Sequence, residues 1–241
     1  MIATLLIGLA ATGMPDDNPG QIVSQMLSYY SDAQTLSGTI TMTQRAAGRE
    51  AIIRTEIQFE RPAKIFLRQL QKTNYDEAQW LVTSDGKSFS YDPPQNVPGK
   101  RLVESCNPQG RALTYREIYQ ASVASLGDRS TPLDIVIGRK EDLSYRRYQW
   151  ATLNLLGKTQ VGSEEVTIVG GNWREYGQAP VSATYEMYVD SQHRLLRYVE
   201  KTKVGTKVTG GGVVSYDVET TWDLNLAKNG AVRSELFKVI L

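Results

Sequence analysis

The chain has 241 residues, with 27 Lys and Arg against 26 Asp and Glu, and a net charge of +1 gives no support to nucleic acid as its main partner. Its single cysteine, Cys106, excludes an internal disulfide and a cysteine-rich metal site, and its single histidine, His193, excludes a two-histidine zinc motif. Hydrophobic residues make up 41% and charged residues 22%, the balance of a folded soluble protein long enough to bury a core without covalent staples.

The N-terminal "MIATLLIGLAATGM" is apolar but too short to span a bilayer. Ala11 and Gly13 are spaced as a signal peptidase site requires, so residues 1–13 are expected to be a signal peptide and the mature protein periplasmic. The pattern lacks one part, since no Lys or Arg precedes the apolar run; the other reading is an N-terminal core segment. A first helix is expected from Pro19 to about Tyr30, capped by Asn18, with Gln21 at the capping-box position and Ile22, Met26, Leu27 and Tyr30 on one face.

From Leu36 the period changes to two. "LSGTITMTQR", "EAIIRTEIQFER", "AKIFLRQL", "AQWLVTSDG" and "KSFSYDP" are short segments rich in β-branched and aromatic residues, bounded by turn residues, and read as an antiparallel meander. The Asp85-Gly86 pair makes the sharpest of these turns and leaves Phe89 and Tyr91 on one face of the next strand. A helical insertion follows. Thr114 and Glu117 form a capping box, Tyr115, Ile118, Tyr119, Ser122, Val123 and Leu126 recur at helical spacing, and Gly127 suits the end. Thr131 and Pro132 open a second short helix to about Val136.

Strands resume with "YQWATLNLLGKTQV", "EEVTIVGGNW", "SATYEMYVD", "HRLLRYVEKTKV" and "GVVSYDVETTWDL", with turns expected at "GKTQVGS", "DSQH" and "GTKVTGGG". The sum is about ten strands and three helices with no linker between them, a single α+β domain over residues 19–241.

The residues do not spell an enzyme. No G-x-S-x-G elbow, Walker loop or G-x-G-x-x-G is present. Asp190 and His193 fall at a hairpin tip, and Glu164 and Glu165 begin a strand on opposite faces, which does not suit a carboxylate pair. The basic and aromatic residues of 138–150 are interleaved with acids, which suits a solvated loop better than a nucleic-acid patch. No cofactor or metal is implied.

"LSGTITMTQ", then "FERPAKIFLRQL", then "VTSDGKSFSYDPP" together resemble the LolA family of lipoprotein carriers. The likeness rests on Arg61-Pro62 at a strand end, the Asp85-Gly86-Lys87 turn, Phe89, Tyr91 and Pro93, and on the order of parts; "YEMYVDSQHRLLRYVEKTKVG" is similar to the family's late hairpin. The resemblance extends over most of residues 19–240 and does not separate LolA from the LolB acceptor or RseB-type sensors. It implies an incomplete antiparallel β-barrel whose mouth is plugged by helices, with a concave apolar face that binds acyl chains. The residues expected to line it are Ile40, Met42, Ile57, Phe59, Ile65, Leu67, Trp80, Val82, Phe89 and Tyr91, with Ile118 from the insertion; the alternative is an ordinary sheet-on-helix core. Arg61 is implied to hold the helical lid near residues 114–137, the alternative being a strand-end arginine in solvent. The implied role is a non-catalytic, monomeric periplasmic carrier of lipid or acylated lipoprotein, served by inner- or outer-membrane transport proteins. An RseB-like lipid sensor acting through a protein partner is the alternative. Extra length around residues 95–112 and 138–150 departs from the carrier pattern.

Overall fold

The computed structural model describes residues 18–72, 77–93, 101–126, 131–138, 150–172, 183–207, 211 and 213–239, the side chains of 122–126, 206, 207 and 213 excepted. The signal segment, Gly127 and most of 138–150 lie outside the described residues.

Helix α1 (Pro19–Ser31) starts where the sequence places it: the Asn18 side chain accepts from the Gly20 N–H at 2.9 Å, and Pro19 opens the first turn. It buries Val23, Met26, Leu27 and Tyr30. Val23 belongs to the buried face, and Ile22, expected there, is only half-buried.

The chain then runs through β1 (Thr35–Ala46), β2 (Arg49–Glu60), β3 (Lys64–Lys72), β4 (Glu77–Asp85), β5 (Ser88–Asp92) and β6 (Leu102–Ser105). Helices α2 (Tyr115–Leu126) and α3 (Thr131–Ile137) follow, and then β7 (Asn154–Val161), β8 (Glu164–Asn172), β9 (Ala183–Asp190), β10 (Leu195–Lys207) and β11 (Val213–Lys228). Short 3-10 turns cover Pro108–Gly110 and Ser234–Phe237.

All eleven strands form one open antiparallel sheet in the order β6-β5-β4-β3-β2-β1-β11-β10-β9-β8-β7. The fold is the expected α+β incomplete barrel, with one strand more than the sequence reading finds. The added strand is β6, four exposed residues without apolar alternation; it exists because β5 supplies a ladder for it. Two turns are shorter than expected. The segment "GKTQV" continues β7, leaving only Gly162 and Ser163 as the turn, and β10 extends through Lys207. Backbone pairing available across the neighbouring strand outweighs the local turn composition.

Register shows which residues share the concave face, because residues opposite one another in an antiparallel pair point the same way. One row runs Leu36, Phe59, Ile65, Ser84, Phe89; the next runs Leu226, Gly38, Ile57, Leu67, Val82, Tyr91. A third joins Leu224, Ile40, Thr55, Gln69 and Trp80. The three helices cover this face: α1 packs on α3 and β8, and α2 packs on β3 and β4. The 3-10 turn at Ser234–Phe237 lies against β3 and β4, where Phe237 is buried and Arg233 N–H donates to the Gln58 side chain at 2.9 Å.

Candidate functional site

Ten of the eleven residues expected to line the concavity are buried in one continuous apolar cluster, and Trp80 is half-buried at its margin. Ile118, from α2, joins the same cluster. Among the described residues of these rows the polar ones are Ser84, whose hydroxyl donates to Ala63 O at 2.7 Å, and a pair in which Gln69 Nε2 donates to Thr55 Oγ1 at 3.1 Å, all three residues being buried. The bond between Gln69 and Thr55 lowers the cost of placing these two polar side chains in an apolar surface.

The turn at Asp85 is built as its composition requires. Asp85 Oδ1 accepts from Lys87 N–H at 2.7 Å and Ser88 N–H at 2.8 Å, and Gly86 takes φ +89°, open to a residue without Cβ. Phe89 and Tyr91 are thereby delivered to the buried face.

Arg61 lies in the β2–β3 turn, partly buried. Its Nε donates to Ala33 O at 2.7 Å and its Nη2 to Ser31 O, both at the C-terminal end of α1. Arg116, in the first turn of α2, reaches the same Ser31 O with Nη2 at 3.3 Å and donates from Nε to Ile137 O, the end of α3, at 2.8 Å. Two guanidiniums thus gather the carbonyl ends of α1 and α3, where positive charge is favoured by the helix dipole. Toward residues 114–137, Arg61 stands beside the Tyr115 phenol, and its neighbour Pro62 accepts the Tyr115 N–H at 2.8 Å. Burial pushes the Tyr115 phenol up, against the pull of the Arg116 and Arg61 charges. The Tyr115 ring stacks on Phe59 with centroids 4.3 Å apart and planes 8° off parallel, and the Arg116 guanidinium lies over the Tyr115 ring, 5.1 Å from its centroid. The sequence gives no sign of Arg116's part, because an arginine in the first turn of a helix reads as solvent-facing.

The roof has further ties. Tyr30 accepts the Leu195 N–H at 3.1 Å, joining α1 to β10, and Tyr119 donates to Asp134 at 3.0 Å, joining α2 to α3. Thr131, at the start of α3, donates to Glu200 of β10 at 2.9 Å.

The capping box of α2 forms as expected: Glu117 accepts from Thr114 N–H at 2.8 Å and from Thr114 Oγ1 at 2.9 Å, and Arg111 pairs with it at 2.7 Å. The Thr114 amide hydrogen bond, aided by Arg111 and the Thr114 hydroxyl, lowers the Glu117 carboxyl from its ordinary 4.5 to about 2. A depressed carboxyl stabilises the fold above its unfolded pKa and stops doing so as pH falls through the folded one. Glu117→Gln is therefore expected to lower stability by about 1 kcal/mol at pH 7. That deficit should shrink as pH falls from 4.5 toward about 2, as thermal unfolding at several pH values would measure.

The half of the concavity made by the late strands was absent from the sequence-derived lining. There, Trp222 of β11, Tyr198 of β10, Tyr185 of β9 and Trp150 form a row of four buried rings, with successive centroids 5.6, 6.4 and 5.8 Å apart. Tyr185 donates its hydroxyl to Thr152 O. The Tyr198 phenol has the Trp150 and Glu200 side chains as its polar neighbours, and Trp222 Nε1 is buried without a hydrogen-bond partner among the described residues, at a cost of about 1–3 kcal/mol. The available sequence signal was the alternation Tyr185, Met187, Val189.

The opposite face is charged. A cleft of 370 Å³ there is walled by residues including Arg45, Glu186, Arg197, Lys201, Glu219 and Asp223. Asp190 and His193 form a turn: Asp190 accepts from Gln192 and Arg194 N–H groups and binds the Arg194 guanidinium at 2.6 Å, while His193 sits at φ +63°. Glu164 and Glu165 are exposed, and Glu164 pairs with Arg194 at 3.5 Å. Among the described residues no group of His, Cys, Asp and Glu could hold a metal ion, and no helix is long and apolar enough to cross a membrane.

No protein-family model and no curated protein matches the chain. Solved structures to which it is similar include the Mycobacterium tuberculosis lipoprotein LppX, at 11% identity and TM-score 0.45, covering 91% of this chain and 100% of that one. MucB in the Pseudomonas aeruginosa MucA/MucB complex is 13% identical with TM-score 0.45, covering 92% of this chain and 60% of that one. A LolA superfamily protein from Nitrosomonas europaea is 8% identical with TM-score 0.32, covering 92% and 97%. Likenesses this remote carry nothing about what the chain binds.

Proposed function

We propose that the protein is a non-catalytic binder and carrier of acyl chains in the bacterial envelope, holding hydrocarbon against the concave face of its sheet. The observation that carries this reading is an apolar concave face roofed by three helices, two of whose ends are gathered by Arg61 and Arg116. Packed helices cover the face in the closed state, and lifting them offers the same face to a ligand. Burying each methylene contributes about 0.8 kcal/mol, so about ten carbons supply about 8 kcal/mol before the costs of association and of moving the roof. In this reading Arg61 acts as a latch: releasing it weakens the end of α1 and favours the open state. Its planar fork meets two carbonyls from two separate nitrogens, whereas Lys would have to bring both acceptors to a single nitrogen.

A second reading is a lipid-responsive regulator acting through a protein partner. It is favoured by exposed apolar residues on both outer strands of the sheet, Leu102 and Val103 on β6 and Leu155 and Leu156 on β7.

Titration with a fluorescent fatty acid, together with mass spectrometry of extracted lipid, tests the carrier reading. Saturable uptake is expected, and Arg61→Leu is expected to speed uptake severalfold. A protein that neither copurifies with acylated species nor takes up the probe would exclude acyl binding.

A further inference from the structure

Three arginines meet one carboxylate on the outer face of the early strands. Arg54 and Glu56 stand two residues apart on β2 and so share a face, and the register sets Arg54 opposite Leu70 and Glu56 opposite Arg68 on β3. These four side chains wall a pocket of 180 Å³. Arg54 and Arg68 are diagonal neighbours across the two strands, about 7–8 Å apart in the backbone, close enough for one small group to touch both. Glu56 is shared between two partners. Its Oε2 accepts from Arg68 Nη2 at 2.6 Å, and its Oε1 accepts from Arg233 Nη2 at 2.5 Å, which arrives with the C-terminal segment. A guanidinium has five N–H donors, and Glu56 engages a single nitrogen of each. Arg68 Nε is buried without a hydrogen-bond partner among the described residues, and the exposed Arg54 makes no hydrogen bond or ion pair among them. The next carboxylates on this face are committed elsewhere: Asp223, across β1, to Arg197 at 2.7 Å, and Glu60, along β2, to Lys64 at 2.8 Å. The pocket therefore keeps a surplus of two positive charges, from three arginines against Glu56.

We propose that Arg54 and Arg68, with the Arg233–Glu56 pair beside them, form a binding site for a phosphate monoester on the outer face of the sheet. Such a group carries about −1.5 to −2 charges at neutral pH and offers three acceptor oxygens, which matches the surplus; a carboxylate would leave half of it unmet. Arg233 holds Glu56, Glu56 holds Arg68, and Arg54 is the arm left to close on the ligand. The site lies across the sheet from the concave face and stands whether or not that face takes an acyl chain. Two sources share this chemistry: the monoester headgroup of a lipid surface, and free phosphate.

The test uses the full chain at neutral pH and fixed ionic strength. Inorganic phosphate is titrated in with the arginine Hε resonances as readout, and cosedimentation with phosphatidic acid vesicles is compared with phosphatidylcholine vesicles. Saturable shifts at Arg54 and Arg68 are expected with a dissociation constant on the order of 1 mM, what two charge-assisted hydrogen bonds supply, and chloride should give none. Arg54→Gln should weaken binding about tenfold, the loss of one such bond, and it should fold normally because Arg54 holds no other group. Arg197→Gln, in the charge-balanced cleft on the late strands, should leave phosphate binding unchanged. Arg54-dependent binding of phosphate without retention on phosphatidic acid vesicles supports the site and makes its ligand soluble; Arg54-dependent retention on those vesicles supports it and makes the ligand a lipid headgroup. Arginine shifts no larger than chloride produces together with no retention on either vesicle, or binding that Arg54→Gln leaves unchanged, would overturn the site. Uptake of the fluorescent fatty acid is unaffected by either result, so the two readings fail separately.

Discussion

Gly38→Ala is expected to be among the most damaging single substitutions in the chain, lowering stability by about 2–6 kcal/mol, the sum of about 1–3 for backbone strain and about 1–3 for overpacking. Gly38 lies in β1 at φ +148° opposite Leu226 of β11, and a Cβ built there would stand 2.0 Å from Asn225 O and 2.9 Å from Leu226 Cα. Both obstacles are backbone, so no rotamer change relieves them; β1 and β11 must separate. They form the one seam between the early and late halves of the sheet. A domain of ordinary stability keeps only about 5–15 kcal/mol in hand. The measurement is the urea midpoint, and an alanine variant within 0.5 kcal/mol of the parent, on the order of a neutral surface change, would show that the seam is not as tight as its geometry.

Phe59→Ala is expected to cost about 3–5 kcal/mol, the usual loss for emptying a buried aromatic site. Phe59 is wholly buried, pairs across the sheet with Leu36 and Ile65, and carries the Tyr115 ring of α2 in parallel stack. Its loss therefore acts in two places. It opens a cavity in the sheet, and it takes the floor from under the first turn of α2, loosening Arg116 from the ends of α1 and α3. Hydrogen exchange should report both, as a global fall in protection and an added local loss at the last turns of α1 and α3. Phe59→Leu, which keeps most of the volume but not the stack, separates the two effects: it should recover much of the global stability and little of the local protection.

Much of this architecture could be read from the chain, where local chemistry and tertiary structure agree. Asn18 with Pro19, Asp85 with Gly86, and Thr114 with Glu117 each specify their own turn or cap through bonds within a few residues, and all three form as the sequence demands. The alternation from Ile40 to Tyr91 identifies a buried face because a strand carries its side chains in period two. What stayed hidden depends on partners far off in sequence. Strand β6 has no apolar pattern of its own and is held by β5. Arg116 becomes a cap only because folding brings Ser31 and Ile137, 85 and 21 residues away, to its guanidinium. The four-ring row collects Trp150, Tyr185, Tyr198 and Trp222 from across 73 positions, and no single window of sequence contains it.

The strand order has a mechanical outcome. Counting outward from the centre, β1 to β6 lead to one rim, and β7 to β11 lead back from the other. The polypeptide between β6 and β7 must therefore travel from rim to rim, and it carries α2 and α3 with it. Its described parts are fastened on both sides of the central seam, α2 to β3 and β4 and α3 through Thr131 to Glu200 of β10, so the roof bridges the two halves of the sheet that β1 and β11 join from below.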